Sequence, residues 1–247
     1  MKTTVSSMVK ARLPRRVACW RILSGPLKGR RLVTSWREYP TGILGTAEKA
    51  LLAWLAANVR NGEVWLDIGA NSGYTAIQIA QIAGREGKVY AFEPIPDLAG
   101  NLFCTARANA MSQIIVVPMA LGETQSITGR RTAVFSKMAD PTTSPPPDSP
   151  TIFEVALDSL WPNISETEVR IAGIKVDVNG SELSVLRGMR NLLTSHKPKL
   201  AIEIHNGVNR TEFLECLRSA GYDLTANIDP SPRGVLLNDH NYEFLPV

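Results

Sequence analysis

Residues 64–80, VWLDIGANSGYTAIQIA, carry an apolar run that ends on an acid, Asp67, turns through Gly69 and Gly73, and continues as a helical pattern. In an open parallel sheet, ligands bind beyond the carboxyl ends of the strands, at the point where strand order reverses. Glycines in such a turn let the backbone approach a ligand and aim its N–H groups at it. A nicotinamide dinucleotide favours G-x-G-x-x-G, because its pyrophosphate must lie close to the N-terminus of the following helix. The turn here reads G-A-N-S-G, with Asn71 where a second glycine would stand. It suits a ligand without phosphate, and the neighbouring acid suits one that carries positive charge.

S-Adenosylmethionine answers that description, with a sulfonium, an amino group and no phosphate. Glu93 ends the next apolar run, 20 residues beyond Gly73, and is placed to accept hydrogen bonds from both ribose hydroxyls. A carboxylate in this position serves ribose in dinucleotide folds too, so the glycine spacing, rather than Glu93, separates the two cofactors.

Two later runs, IAGIKVDV and KLAIEIH, bring Asp177, Asn179, Glu203 and His205 to the same end of the sheet. Methyl transfer is an in-line displacement at an activated carbon, so the protein mainly positions donor and acceptor and removes the acceptor's proton. Glu203 and His205 differ by two residues and share a strand face. His205, with an ordinary pKa of about 6.5, is the first choice for a general base; the alternative is a histidine that caps its strand or bonds a loop. Asp177 orients the acceptor or the donor methyl, or with Glu203 it could hold Mg²⁺ and lower the pKa of a bound hydroxyl, with Asn179 as a weaker oxygen ligand. Acids and amides also gather at strand ends without a metal, and no metal ligand is assigned.

Other residues have weaker claims. Glu48 either faces the amino end of the cofactor or is an exposed helix acid, and Glu182 reads as an acid favouring the positive end of its helix. Trp36, Tyr39, Trp54 and Trp161 are candidates to line a substrate pocket, with core packing preferred for Trp54, which is at helical spacing with Leu51 and Leu55. His196 and His240 receive no role.

These side chains need a scaffold, and the pattern supplies one. Residues 17–36 read as two short strands around a turn containing Gly25, Pro26 and Gly29, a leading β-hairpin. Leu51, Leu52, Leu55 and Val59 then mark a helix that Asn61-Gly62 stops. Short continuous apolar runs follow at 63–68, 88–93, 114–118, 171–178 and 199–205, as expected of parallel strands covered on both faces. Helical patterns fill 74–83, 96–110, 182–193 and 211–220, and Gly221 stops the last. The alternation predicts an α/β fold with a doubly wound, mostly parallel sheet. We divide the chain into a basic N-terminal arm and β-hairpin, 1–43, and a catalytic domain, 44–247. The segment 136–151 holds five prolines and reads as a loop.

The 247 residues suit one large α/β core, and 44% apolar with 20% charged residues is the balance of a globular protein. No apolar run approaches the roughly 18 residues of a membrane span. Residues 1–40 carry ten Lys and Arg against one acid, Glu38, a net +9 that leaves −5 to the rest of a chain whose total is +4. Such an arm could meet nucleic acid, anionic lipid or a phosphorylated substrate, but no aromatic platform is interleaved with it. Cys19, Cys104 and Cys216 are far apart and form no CxxC pair, which supports neither a disulfide framework nor a zinc site. A reducing, cytoplasmic location is expected.

The segments LDIGANSGYTA, VYAFEPIPD, VVPMALGE, VDVNGSELSVLRG and PKLAIEIH stand in an order and spacing that resemble the FkbM-type S-adenosylmethionine-dependent methyltransferases. The leading GPLKGRRL and GTAE are similar as well, so the resemblance runs from about residue 24 to 222. It implies a Rossmann-like sheet of seven strands with the last antiparallel, and methyl transfer to a hydroxyl of a sugar, glycan or natural product. It also implies that Asp67, Gly69, Asn71, Gly73 and Glu93 surround the cofactor, with the chain near Ala120 beside the adenine. One departure stands out. Where the family usually reads D-x-E-G-A-E, this chain has Asp177, Val178, Asn179, Gly180, Ser181 and Glu182, and so lacks a carboxylate at 179.

Three competing readings remain. A nucleic-acid methyltransferase would match the basic arm, but the N/D-P-P-Y/F motif of base-amine enzymes is replaced here by D-V-N-G. A non-catalytic cofactor-binding module would match Asn179. A dehydrogenase is the weakest of the three. The expected partner is a small-molecule or glycan acceptor rather than nucleic acid, and the oligomeric state is not readable.

Overall fold

The computed structural model describes residues 12–124, 128–131, 151–166, 169–230 and 236–247. Strands β1 (Ala18–Arg21) and β2 (Arg31–Thr34) pair antiparallel, with Gly25 and Gly29 at positive φ in the turn between them. The expected hairpin is therefore present, and it is tied to the main body. The Val33 N–H donates to Thr105 Oγ1 at 2.9 Å, and the Arg31 N–H and C=O both bond the Asn109 side chain.

Helices α1 (Pro40–Leu44) and α2 (Lys49–Asn58) lead into the alternating region. There β3 (Val64–Ile68), α3 (Tyr74–Ala83), β4 (Lys88–Phe92), α4 (Pro96–Ala108) and β5 (Ile114–Val117) follow one another. After α5 (Leu157–Ile164) come β9 (Ile171–Val176), α6 (Glu182–Gly188), α7 (Arg190–His196), β10 (Lys199–Ile204), α8 (Arg210–Ser219), β11 (Tyr222–Asn227) and β12 (His240–Pro246). The main sheet has seven strands in the order β11-β12-β10-β9-β3-β4-β5, and only the pairings of β12 with β10 and β11 are antiparallel. The strand order reverses between β3 and β9. This is the doubly wound, mostly parallel sheet that the pattern predicts, with the seven strands and antiparallel last strand that the resemblance implies.

All five residues of β3 are buried, because helices cover both faces of the sheet. Leu66, Ile68, Ile174, Val176, Ile202 and Ile204 enter a core on one face with residues of α5, α6, α7 and α8. Trp65 and Ala201 turn to the other face, where α2, α3, α4 and the hairpin residues Ile22, Leu27 and Leu32 form the second core. Trp161 packs edge-on against Tyr90 in the first core, and Trp54 against Trp65 in the second. Both tryptophans therefore serve packing. Among the described residues no helix is long and apolar enough to cross a membrane.

Three features differ from the sequence pattern. The single helical stretch at 182–193 breaks at Met189 into α6 and α7. A Cβ on Gly188 would stand 1.7 Å from the Gly122 oxygen, so the end of α6 is set by close packing that periodicity does not register. A second sheet of three strands is also present: β6 (Ala120–Leu121) pairs parallel with β8 (Thr151–Val155), which pairs antiparallel with β7 (Thr128–Arg131). Residues 1–11 of the basic arm, and all of the proline-rich stretch except Thr151, lie outside the described residues. Finally, β11 and β12 are absent from the apolar runs, because their exposed polar positions blur a strand alternation, and only the resemblance implied strands beyond the fifth.

The closest backbone approach in the centre of the sheet lies at the switch point. Gly69 follows β3 with φ +77°, and a Cβ there would stand 1.8 Å from the Asp177 carbonyl oxygen beyond β9. A left-handed conformation alone costs a non-glycine residue about 1–3 kcal/mol, and the overlap adds to it. Gly69→Ala should lower stability by at least ~2 kcal/mol in urea unfolding; a change below ~0.5 kcal/mol would contradict this account of the turn.

Candidate functional site

The turn after β3 takes three residues in the left-handed region: Gly69, Asn71 (φ +50°) and Gly73 (φ +93°). Asn tolerates that region better than most residues with a Cβ, which explains how it stands where dinucleotide enzymes use glycine. The Asn71 side chain accepts hydrogen bonds from the N–H and hydroxyl of Ser72, at 2.7 and 3.1 Å. Its own N–H donates to Glu93 Oε2 at 2.9 Å, while the Ile95 N–H donates to Glu93 Oε1 at 3.0 Å. Glu93 is 4% exposed, and burial raises its carboxyl pKa against the lowering effect of these two donors. A carboxylate has about four acceptor positions, so each oxygen keeps capacity for a further hydroxyl.

Glu93, Gly69 and Ala120 line one cavity of about 280 Å³ at the carboxyl ends of β3 and β4, with an apolar wall that includes Phe92, Met119, Ile152 and Val178. This is near the lower end of the ~300–1,000 Å³ range of small-molecule sites. An apolar slot with a buried carboxylate at its rim fits the adenine and ribose of a nucleoside. Asn179 (φ +52°) also lines it, so an amide faces this space where the FkbM pattern has a carboxylate.

Two of the predicted cofactor residues lie elsewhere. A Cβ on Gly73 would meet the Leu102 side chain at 2.5 Å, so this glycine serves the packing of α3 on α4 rather than ligand approach. Asp67 is fully buried. Its Oδ2 accepts from the Thr75 hydroxyl at 2.6 Å and its Oδ1 contacts Lys175 Nζ at 3.1 Å. The expectation that Asp67 offers its charge to a ligand is corrected accordingly, since Lys175 neutralises it and no surface is left for contact.

Lys175 is the residue that sequence reading passed over. It is the cross-strand neighbour of Asp67 in the β3–β9 register, is 3% exposed, donates to the Gly69 carbonyl at 2.9 Å and stands 3.7 Å from Asp177 Oδ2. Burial opposes its charge, but the carboxylates of Asp67 and Asp177 outweigh burial and hold the ammonium pKa well above its ordinary value. A lysine inside an apolar strand carried this signal, since it is seldom fully buried unless paired.

Val176 and Ile202 are partners in the β9–β10 register, and the next residues are Asp177 and Glu203. His205 follows, and the structure brings the three predicted catalytic residues together. The His205 Nε2 lies 3.5 Å from Asp177 Oδ1 and 3.8 Å from Glu203 Oε1. Two further acids join them. Glu182 is fully buried and its Oε1 is 2.7 Å from His205 Nδ1; Asp239, just before β12, places Oδ1 3.7 Å from Nε2. Glu182 thus does more than favour a helix terminus. Burial alone would lower the His205 pKa, but the Glu182 hydrogen bond and the charges of Asp177, Glu182 and Glu203 raise it. Asp177 is the most open of the first three, its side chain 32% exposed against 10% for His205 and 7% for Glu203.

Tyr39 packs edge-on against Tyr74. Burial, followed by the charges of Glu48, Tyr74, Asp177 and Glu203, pushes the Tyr39 phenol up, so it belongs to the same neighbourhood. Burial and Glu48 take Tyr74 to about 12, and its hydroxyl is buried without a hydrogen-bond partner among the described residues. Glu48 is half-buried here rather than an exposed helix acid. Trp36 instead contacts Trp20 of the hairpin. His196 accepts the Ile171 N–H and His240 opens β12, both structural positions.

The methyltransferase FkbM domain family matches residues 67–224, well over half of the chain, and the chain belongs to that family. S-Adenosylmethionine, the methyl donor of the family, is its cofactor. A hexuronic acid methyltransferase, AglP, of Haloferax volcanii is 29% identical over 176 residues, covering 70% of this chain and 69% of the relative. A protein-L-isoaspartate O-methyltransferase of Ignicoccus hospitalis is 48% identical over only 44 residues, so that match spans 18% of this chain and about a fifth of the relative. Among solved structures, the FkbM methyltransferase of Methylobacillus flagellatus KT superposes with a TM-score of 0.50 at 20% identity, covering 81% of this chain and about half of that one. This last likeness concerns the fold.

Removing the Lys175 charge leaves Asp67 ionised and buried, a situation that typically costs ~3–5 kcal/mol. Lys175→Met should therefore destabilise by that order in chemical unfolding, and Asp67→Asn added to it should recover most of the loss. No recovery in the double variant would mean that Lys175 acts through its packing and not through the pair.

Proposed function

We propose that this FkbM-family chain is an O-methyltransferase that transfers the methyl group of S-adenosylmethionine to a hydroxyl of a sugar, glycan or natural-product small molecule. The observation that carries the reading is the position of Asp177. It immediately precedes Val178 and Asn179, which line the nucleoside-sized cavity, and it is the most open of the three predicted catalytic residues gathered at the mouth. The hexuronic acid methyltransferase of Haloferax volcanii supports a sugar-derived acceptor.

Bound S-adenosylmethionine supplies an activated methyl carbon, whose bond to sulfur breaks as the bond to the acceptor oxygen forms. Glu93 holds the ribose through the free acceptor positions of its two oxygens, Gly69 and Asn71 shape the loop against the cofactor, and Ala120 with Met119 borders the adenine. Asp67 and Gly73 act one step back, by fixing Lys175 and the start of α3. Asp177 receives the acceptor's proton, and such general-base assistance typically contributes 10²–10⁴-fold. His205, the sequence's first choice for that base, is the more buried group with its Nδ1 held by Glu182, and it stands with Glu203 behind the more open Asp177. The N-terminal hairpin and the 136–151 segment select the acceptor. Ile152 and Glu154, which follow that segment in the chain, line the cavity.

Calorimetric titration should give saturable binding of S-adenosylmethionine and S-adenosylhomocysteine, weakened at least ~10-fold in Glu93→Ala, since an unpaired ribose hydroxyl forfeits ~1.5 kcal/mol or more. With labelled donor, a panel of hexuronic acids, neutral sugars, hydroxylated natural products and RNA then identifies the acceptor class. Asp177→Asn should lose ~10²-fold or more in turnover with donor affinity within twofold. Methylation of RNA alone, or full turnover by Asp177→Asn, would overturn the reading.

A further inference from the structure

We infer that Glu203, His205 and Asp239 form a divalent-cation site at the mouth of the cofactor pocket. One ligand atom from each, two carboxylate oxygens and an imidazole nitrogen, lies within 4.8 Å of the others. Ligands on opposite sides of an ion at ~2.0–2.2 Å are ~4.0–4.4 Å apart, so small side-chain rotations close the set. Asp239 is the exposed member and supplies that freedom.

The imidazole is prepared for this role. His205 is 8% exposed, and its Nε2 points among Asp177, Glu203 and Asp239 at 3.5–3.8 Å, with none of them at ordinary hydrogen-bond distance. Its Nδ1 is fixed at 2.7 Å by the fully buried Glu182, whose Oε1 also accepts the Gly180 N–H. A carboxylate behind the far nitrogen of an imidazole is the usual way in which a metal-binding histidine is oriented. The surrounding backbone is braced as well. Arg210 donates to the carbonyls of His205 and Val208 and to the Asn238 side chain, and the Asp239 N–H donates to the Ile204 carbonyl at 2.8 Å. On the buried side, Asn241 lies opposite Glu203 in the β10–β12 register, and its Nδ2 is 3.5 Å from Glu203 Oε2.

Two carboxylates and one imidazole suit a cation between hard and borderline, of which Mn²⁺ is the best match, with its remaining positions left to water or substrate. The role of the ion rests on the acceptor reading above; its binding does not. An acceptor hydroxyl on the ion becomes more acidic and gives its proton to Asp177. The oxygen then bonds the methyl carbon, the carbon–sulfur electron pair stays on sulfur, and the products are a methyl ether and S-adenosylhomocysteine. From the sequence, Glu203 is weighed with Asp177 for Mg²⁺ and no ligand is assigned, and Asp239, 34 residues beyond His205, belongs to no pattern with it.

The test is Mn²⁺ uptake by EDTA-stripped full-length protein, followed through loss of the free-ion electron paramagnetic resonance signal, with no donor or acceptor present. One Mn²⁺ per chain is expected. Asp239→Asn, on an exposed side chain and therefore expected to fold, should weaken uptake at least tenfold, and Glu182→Gln ~10–100-fold, with S-adenosylmethionine affinity within twofold in Asp239→Asn. Folded, donor-binding protein that takes up no Mn²⁺, or takes it up equally well in Asp239→Asn, overturns the site. Uptake as expected by a protein that methylates no hydroxyl compound upholds the site and overturns the O-methyltransferase reading instead.

Discussion

An ammonium group in the dry centre of the sheet fixes the arrangement around it. Lys175 and Asp67 face each other across β3 and β9, the two strands between which the sheet reverses direction. Moving either charge out of water is costly, and only their mutual contact with well-placed polar partners offsets it. Lys175 also takes the Gly69 carbonyl and lies near Asp177, so one side chain ties the cofactor turn to the end of the neighbouring strand. The acid that closes β3 is thereby enclosed, while the half-buried acid beyond β9 keeps part of its side chain open.

The turns at this end of the sheet share a second constraint. Each chain leaving a strand must reverse within a few residues without blocking the pocket, and left-handed residues do this at Gly69, Asn71, Asn179, Gly180, Gly207 and Asp239. Asparagine occupies two of these positions. At Asn71 this choice leaves the N–H directed at Glu93, which joins the first turn to the buried carboxylate beyond β4. At Asn179 it leaves an uncharged amide on the cavity wall, with the carboxylates concentrated around His205 instead. Negative charge is therefore gathered around His205, beside a pocket whose wall is apolar.

The acids near His205 are divided by burial, which decides what each can do. Glu182 is fully enclosed and can only orient the imidazole, while Glu203 is nearly so, and Asp177 and Asp239 reach solvent. Four carboxylates of similar chemistry in the sequence are thus set at different depths around one imidazole.

Much of this was legible in the chain. The five apolar runs and four of the helical stretches coincide with structural elements to within a few residues, because parallel strands covered on both faces must be continuously apolar and a helix on a sheet must show its period. Glu93 and Gly69 were legible for a related reason: each directly follows a strand's carboxyl end, where a linear position maps onto the pocket, whereas Ala120, which opens β6, was implied only by the resemblance. The sequence also identified Asp177, Glu203 and His205 as one group, since adjacent strand ends carry them. What only the tertiary structure decided was burial and partnership across strands. Asp67 appeared free until Lys175 was found beside it, Glu182 appeared to serve its helix until His205 was found on it, Gly73 appeared to serve a ligand until Leu102 was found against it, and Asp239 appeared to serve nothing. Each depends on a contact between residues far apart in the chain or on different elements, set by sheet register and helix packing, and neither is written in local periodicity.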